Sequence, residues 1–418
     1  MATFGEKMHA LIQERGISQR SLAKRLYCNQ SHISKIKTGE RTPSPELAKQ
    51  IDAVLQANGE LIALVPERRE KTLHSREGDS DVERRQLLES LAVFGVAISP
   101  ATRALENIHA SLERTFGDSD RRRIDHWEEV TTEYGYSYIT RPPEQFAQDL
   151  AVDLVGIRLI MRDIDTDSFV YKEWCRIGAT LSALMAKTLS NLGHTREARH
   201  WWITAQTASD DSDDVAARLW VRGERLVRGL YEQRSPHLLI KQANEASDLE
   251  NGNPCVGLAT IIGGKAQALA LVGATDAAET ELTHLERTFD GLPPKATEDS
   301  HTVFGFGEDC LRYTETWVYA NCANSGKADI SAAQAAQLYP PDDRRTPTQI
   351  KLLQAFGRTK AGDLTEGIQE ASQAYGNLPV AQRTILISSL AERIVDTVPS
   401  AQQNRPEVKA YREVVHGR

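Results

Sequence analysis

Apolar residues recur at intervals of three and four along this chain, and no stretch is dominated by the alternation of a β-strand. The helix-period segments run to 12–25 residues and are separated by Gly, Pro and Asp/Asn clusters; among them are 120–138, 143–162, 169–192, 195–208, 213–231, 255–272, 304–323, 346–361 and 380–397. Many helices with short joints can bury their apolar faces only against one another, so the chain is predicted to be all-α, with antiparallel pairs stacked in a row. Its 418 residues suit two to three domains, and 40% apolar content supplies a core. No run of eighteen apolar residues is present, so no membrane contact is expected. The N-terminus lacks the basic-then-apolar run of a secretory signal. Five scattered cysteines, none in a C-x-x-C pair, argue against a disulfide framework or structural zinc, and the cytoplasm is the expected compartment.

Charge divides the chain. The first fifty residues carry nine Lys/Arg against four acids, a balance of +5, while the whole chain stands at −8, leaving −13 on the remainder. A small basic head on a large acidic body suits a nucleic-acid reader with a separate regulatory part.

The head resolves into short helices. Phe4, Met8, Leu11 and Ile12 lie on one helical face, and Gly16 stands where a helix end favours left-handed backbone. Ser18 caps a second helix with Leu22, Ala23 and Leu26 inward. Asn29 caps a third, Gln30 to Lys37, which buries Ile33 and Ile36, and Pro45 opens a fourth carrying Leu47, Ile51, Val54 and Leu55. Two short helices joined by a tight turn and flanked by two more form the helix-turn-helix arrangement.

Through Ile17-Ser18-Gln19, Leu22-Ala23, Gln30-Ser31-His32-Ile33-Ser34-Lys35-Ile36 and Gly39-Glu40-Arg41-Thr42-Pro43, residues 4–65 resemble the phage-repressor-like (Xre/Cro) DNA-binding family. Cys28-Asn29 departs from the Gly-Val-Ser more usual in the turn. The resemblance implies that the third helix enters the major groove by its N-terminal end. Gln30 can then pair with adenine, Ser31 and Ser34 with base edges or phosphate, and Lys35 with guanine or phosphate. Gln19 matches the glutamine that in such repressors holds a phosphate and braces the first glutamine of the third helix. Arg20, His32, Lys37 and Arg41 are the expected phosphate contacts.

Residues 66–84 are polar and charged and read as a linker, 85–168 as a helical connecting and dimerisation region with the interface near 85–116, and 169–418 as the regulatory domain. Within the last, Asn191-Leu-Gly-His-Thr-Arg-Glu-Ala, Leu271-Val-Gly-Ala-Thr-Asp-Ala-Ala and Lys360-Ala-Gly-Asp-Leu-Thr-Glu-Gly repeat a glycine at a helix end, a short turn and a new helix. Gly193, Gly229, Gly273, Gly326 and Gly362 lie 36, 44, 53 and 36 residues apart. The segment resembles a degenerate tetratricopeptide array over roughly 170–380. The two parts together resemble actinobacterial regulators and peptide-sensing regulators of Gram-positive bacteria. That resemblance implies a homodimer on an inverted-repeat operator of double-stranded DNA, tuned by a peptide or small-molecule effector.

Other motifs fail on inspection. Asp163-Ile-Asp-Thr-Asp167 has Ser168 and Trp174 where a calcium loop needs glycine and glutamate. Gly263-Gly264-Lys265 lacks the rest of a phosphate loop, and His194 and His200 are wrongly spaced for one helix face. No enzyme, metal or cofactor signature emerges. Trp174, Arg218, Arg222 and Arg225 are candidate ligand contacts. The spacing of the tryptophans fits a core at least as well, and the arginines can equally pair with Asp210–Asp214, the reading preferred here. The alternative to sensing is a body that docks a protein, as a scaffold or as an antitoxin or phage-defence partner.

Overall fold

The computed structural model describes residues 3–26, 30–38, 43, 45–64, 120–162, 164–250, 252–299, 301–339 and 343–417. The chain divides into two compact units, Met1–Glu83 and Arg84–Arg418. All the regular structure among the described residues is helical. The segments expected as linker (66–84) and as dimer interface (85–116) lie outside the described residues, as do Tyr27-Cys28-Asn29.

The first unit contains α1 (Phe4–Glu14), α2 (Gln19–Arg25), α3 (Gln30–Lys37) and α4 (Pro45–Val54). Thr3 and Glu6 close a reciprocal capping box at the start of α1, the Glu6 amide donating to Thr3 Oγ1 (3.3 Å) and the Thr3 amide to Glu6 Oε2 (2.8 Å). Gly16 ends the turn with φ 60°, and the Ile17 amide reaches back to the Ile12 carbonyl. Met8, Leu22, Ile33, Ile36, Ile51, Leu55 and Leu61 meet in one core.

The second unit opens with α5 (Asp120–Ser137) and α6 (Pro143–Met161), packed on α7 (Phe169–Asn191) around a fully buried Trp174. Hairpins follow: α7 with α8 (Thr195–Asp211), α9 (Val215–Tyr231) with α10 (Pro236–Ser247), and α11 (Val256–Leu271) with α12 (Thr275–Asp290). After the short α13 (Pro294–Thr297) come α14 (Glu308–Asn321) with α15 (Ser325–Ala335), α16 (Arg345–Ala361) with α17 (Leu364–Gly376), and α18 (Ile385–Thr397) with α19 (Pro406–His416). The first helix of each hairpin packs on the first helix of the next, which is the tetratricopeptide-like arrangement. The last of them, α18, also touches α7 and α9, so the row curls back on itself. Because α11 sits mid-row most of its residues are buried and apolar, Lys265 excepted, which pairs with Glu281 at 2.7 Å.

The repeat has a different register from the one the glycines suggested. Within five successive hairpins the first helix ends in the same way, with an amide bonding the carbonyl five residues back: His194 to Leu189, Arg234 to Gly229, Ala274 to Leu269, Asn324 to Tyr319 and Asp363 to Arg358. The left-handed residue of each turn is Gly193, Gln233, Gly273, Ala323 and Gly362, at spacings of 40, 40, 50 and 39. Gly229 and Gly326 are not turn residues. Gly229 lies inside α9, where a Cβ would meet Leu239 Cδ2 at 2.7 Å, and Gly326 is in the first turn of α15. Ala323 adopts φ 57° with a side chain that disfavours it. Ala323→Gly should therefore stabilise the second unit by about 0.5–1 kcal/mol, the relief of left-handed strain exceeding the entropy lost to glycine. A urea titration checks this, and a destabilised variant would contradict it.

Candidate functional sites

The third helix of the first unit is fixed from behind. Ile33 and Ile36 are buried, which turns Ser34 and Lys35 to the other side; Lys35 is exposed and Ser34 half-buried. At the far end of α3 the backbone is in contact with α1, since a Cβ on Gly5 would lie 2.5 Å from the Lys37 carbonyl oxygen and 2.6 Å from that of Ile36. The tail of the unit is tied down by Asp52, 6% exposed, whose carboxylate accepts the amides of Gly59 (2.9 Å) and Leu61 (3.0 Å). A Lys7–Glu60 ion pair at 2.7 Å joins that tail to α1. Gly5 and Asp52 were not singled out in the sequence. A glycine inside a helix and a single acid have no motif around them, and only the packing gives them a purpose.

In the second unit the first helices of the hairpins surround a cavity of about 270 Å³. Every helical residue of its wall belongs to α7, α9, α11, α14, α16 or α18, and the second helices of the hairpins contribute none. Tyr138, just past α5, closes one side. Its hydroxyl accepts from Asn191 Nδ2 (3.0 Å) and from Arg228 (3.2 Å), and the Lys187 Nζ lies 5.0 Å from its ring centre. Lys187, 4% exposed, is paired with Glu224 at 2.5 Å. Burial pushes the Tyr138 phenol up, but Arg228, Lys187 and Arg345 outweigh it and its pKa is lowered. Across the cavity the Tyr231 and Tyr313 hydroxyls bond each other, and Tyr313 donates to Gln349 Oε1 at 3.0 Å. Burial holds the Asp309 carboxyl above the usual carboxylate range.

Residues 8–61 match the family model described as Helix-turn-helix. The chain carries an Xre/Cro-type helix-turn-helix domain at its N-terminus. No curated protein matches the sequence. One solved structure that does match is the "Crystal Structure of Bacillus thuringiensis PlcR in complex with the peptide PapR7 and DNA", at 13% identity, covering 69% of this chain and 95% of that one with a TM-score of 0.27. A superposition that loose decides nothing about the present chain.

Within the matched helix-turn-helix domain, α3 is the second helix of the motif, and Gln30, Ser31 and His32 form its first turn. The side chains of Gln30, Ser31, His32 and Arg20, and Arg41 entirely, lie outside the described residues. Gln19 opens α2 and is half-buried, as is Lys37 at the end of α3.

The residues considered as ligand contacts are placed elsewhere than the cavity. Trp174 is 0% exposed in the core between α5, α6 and α7, with its ring edge-on to Trp127 at 6.3 Å. Arg218 and Arg222 both bond Asp210, Arg222 through both carboxylate oxygens at 2.9 Å, and Arg225 bonds Gln206. Burial raises the Asp210 carboxyl, and the bonds from Arg222 and Arg218 more than reverse it. The neighbouring Asp214 caps α9, accepting the amides of Ala216 (2.8 Å) and Ala217 (3.2 Å). Ser168 caps α7 in the same manner. Among the described residues no acidic, His or Cys group could hold a metal, and no helix is long and apolar enough to cross a membrane.

Proposed function

We propose that this chain is a sequence-specific transcription regulator that binds an inverted-repeat operator as a homodimer and whose helical body senses a small signal. The observation that carries the reading is α3, set in a matched helix-turn-helix domain with Ile33 and Ile36 inward and Lys35 exposed. One recognition helix covers only a few base pairs, so a second copy is needed to single out a site in a genome. The ring of first helices around a cavity supports sensing, because a ligand there touches several hairpins at once. Such a ligand shifts an equilibrium only by its differential affinity for the two states.

Gln30→Ala tests the base-reading role. The variant should lose about 1–3 kcal/mol of discrimination at one base position in each half-site and keep its affinity for unrelated DNA. A variant with unchanged base preference would remove Gln30 from the reading surface.

A further inference from the structure

Two guanidiniums line the cavity, and neither makes an ion pair among the described residues. Arg228 donates to neutral acceptors, Asn191 Oδ1 at 3.1 Å and the Tyr138 hydroxyl at 3.2 Å. Arg345, 8% exposed, donates to the main-chain carbonyls of Tyr138 (2.9 Å) and Ile139. Acids act on these cations only at a distance, Glu224 and Glu232 on Arg228 and Asp343 on Arg345. Glu224 is paired with Lys187, Asp343 accepts the amides of Arg345 and Thr346 through Oδ1 while its buried Oδ2 has no hydrogen-bond partner, and burial raises the pKa of the Asp309 carboxyl. Cations withdrawn from water without a counter-ion are costly, and the cost falls when an anion joins them.

A second, independent feature faces the same space. Gln267 of α11 is 2% exposed, lines the cavity, and its Oε1 has no hydrogen-bond partner. A buried carbonyl left unpaired calls for a donor. Val227, Phe306 and Leu386 supply apolar wall between the polar groups. The volume, about 270 Å³, lies below the ~300–1,000 Å³ of drug-sized sites, which suits one molecule of the size of an aromatic acid rather than an extended peptide.

We infer that the cavity binds a small organic monocarboxylate, its carboxylate on Arg228 and Arg345 and a donor group on Gln267. The binding itself stands independently of DNA, and only its effect on the operator rests on the function proposed above. An Arg–carboxylate contact of this kind is short and directional, and the tyrosine hydroxyl on Arg228 orients the fork that receives it.

The test is thermal unfolding of the full-length chain with a panel of phenylacetic, indole-3-acetic, 4-hydroxybenzoic and 3-phenylpropanoic acids and their primary amides at millimolar concentration. At least one acid should raise the midpoint by several degrees while its amide does not. Arg228→Gln should abolish that rise. Gln267→Leu should remain folded, since it removes an unpaired acceptor, and should weaken indole-3-acetic or 4-hydroxybenzoic acid, whose N–H or O–H can reach Gln267, about tenfold, while acids without a donor are unaffected. Equal behaviour of acids and amides, or an undiminished rise in both variants, would overturn the inference. An acid that raises the midpoint yet leaves operator affinity unchanged upholds the site and refutes the sensing role. Absence of any rise with intact DNA binding refutes the site alone.

Discussion

Lys187→Met should cost the helical body about 3–5 kcal/mol, the loss expected when one member of a buried ion pair is removed. Lys187 is 4% exposed in α7, its Nζ is 2.5 Å from Glu224 of α9, and the same ammonium lies 5.0 Å from the Tyr138 ring. It thus joins three elements of the cavity wall at one point. Methionine keeps the volume and leaves the Glu224 carboxylate without its cation. The double variant Lys187→Met with Glu224→Leu should recover most of the stability, because a well-packed apolar pair can replace a buried ion pair at little cost. Urea unfolding of the two single variants and the double variant closes the cycle. A single-variant loss below about 1 kcal/mol, the range of surface pairs, would show that water reaches the pair and that the cavity wall does not depend on it.

Gly257→Ala should cost about 3 kcal/mol, at the upper end of overpacking penalties. A Cβ there would stand 2.2 Å from the Trp220 nitrogen and 2.5 Å from the Leu219 carbonyl carbon, both backbone atoms of α9 that no rotamer change can move. The crossing is reciprocal, for a Cβ on Gly223 of α9 would meet Thr260 Cβ at 2.9 Å and the Gly257 oxygen at 3.0 Å. The methyl must therefore part α9 from α11, which carry Glu224 and Arg228 on one side and Gln267 on the other. Gly178→Ala is the control. It lies inside α7 with no heavy atom within 4 Å of the added carbon, so it should stabilise by up to about 0.5–1 kcal/mol through helix propensity. Chemical denaturation of both variants checks the pair, and equal effects at the two glycines would contradict the close crossing.

What the amino-acid order reveals follows from how local each feature is. The helix-turn-helix domain was legible because its core positions, its glycine turn and its polar face all fall within some sixty residues, and the structure buries Met8, Leu22, Ile33, Ile36 and Ile51 as the periodicity requires. The pairing of Arg218 and Arg222 with Asp210 was legible for the same reason, the partners being eight and twelve residues apart. Turn register was legible at Gly193, Gly273 and Gly362, where residue type and backbone agree. It was misread at Gln233 and Ala323, where the amide bond to the carbonyl five residues back imposes left-handed backbone on residues that do not advertise it. The cavity was hidden because Tyr138, Arg228 and Arg345 come from distant points in the chain. They meet only when the row of hairpins curls far enough for α18 to touch α7, and no local motif records that curvature.

The central claim is that two copies of α3 read DNA under the control of the helical body. Selection of full-length protein on randomised duplex DNA, followed by sequencing of the retained pool, tests it most directly. The account predicts an enriched inverted repeat whose half-sites are centred about one helical turn, ~34 Å, or a multiple of it apart. A retained pool with no enriched sequence would contradict it.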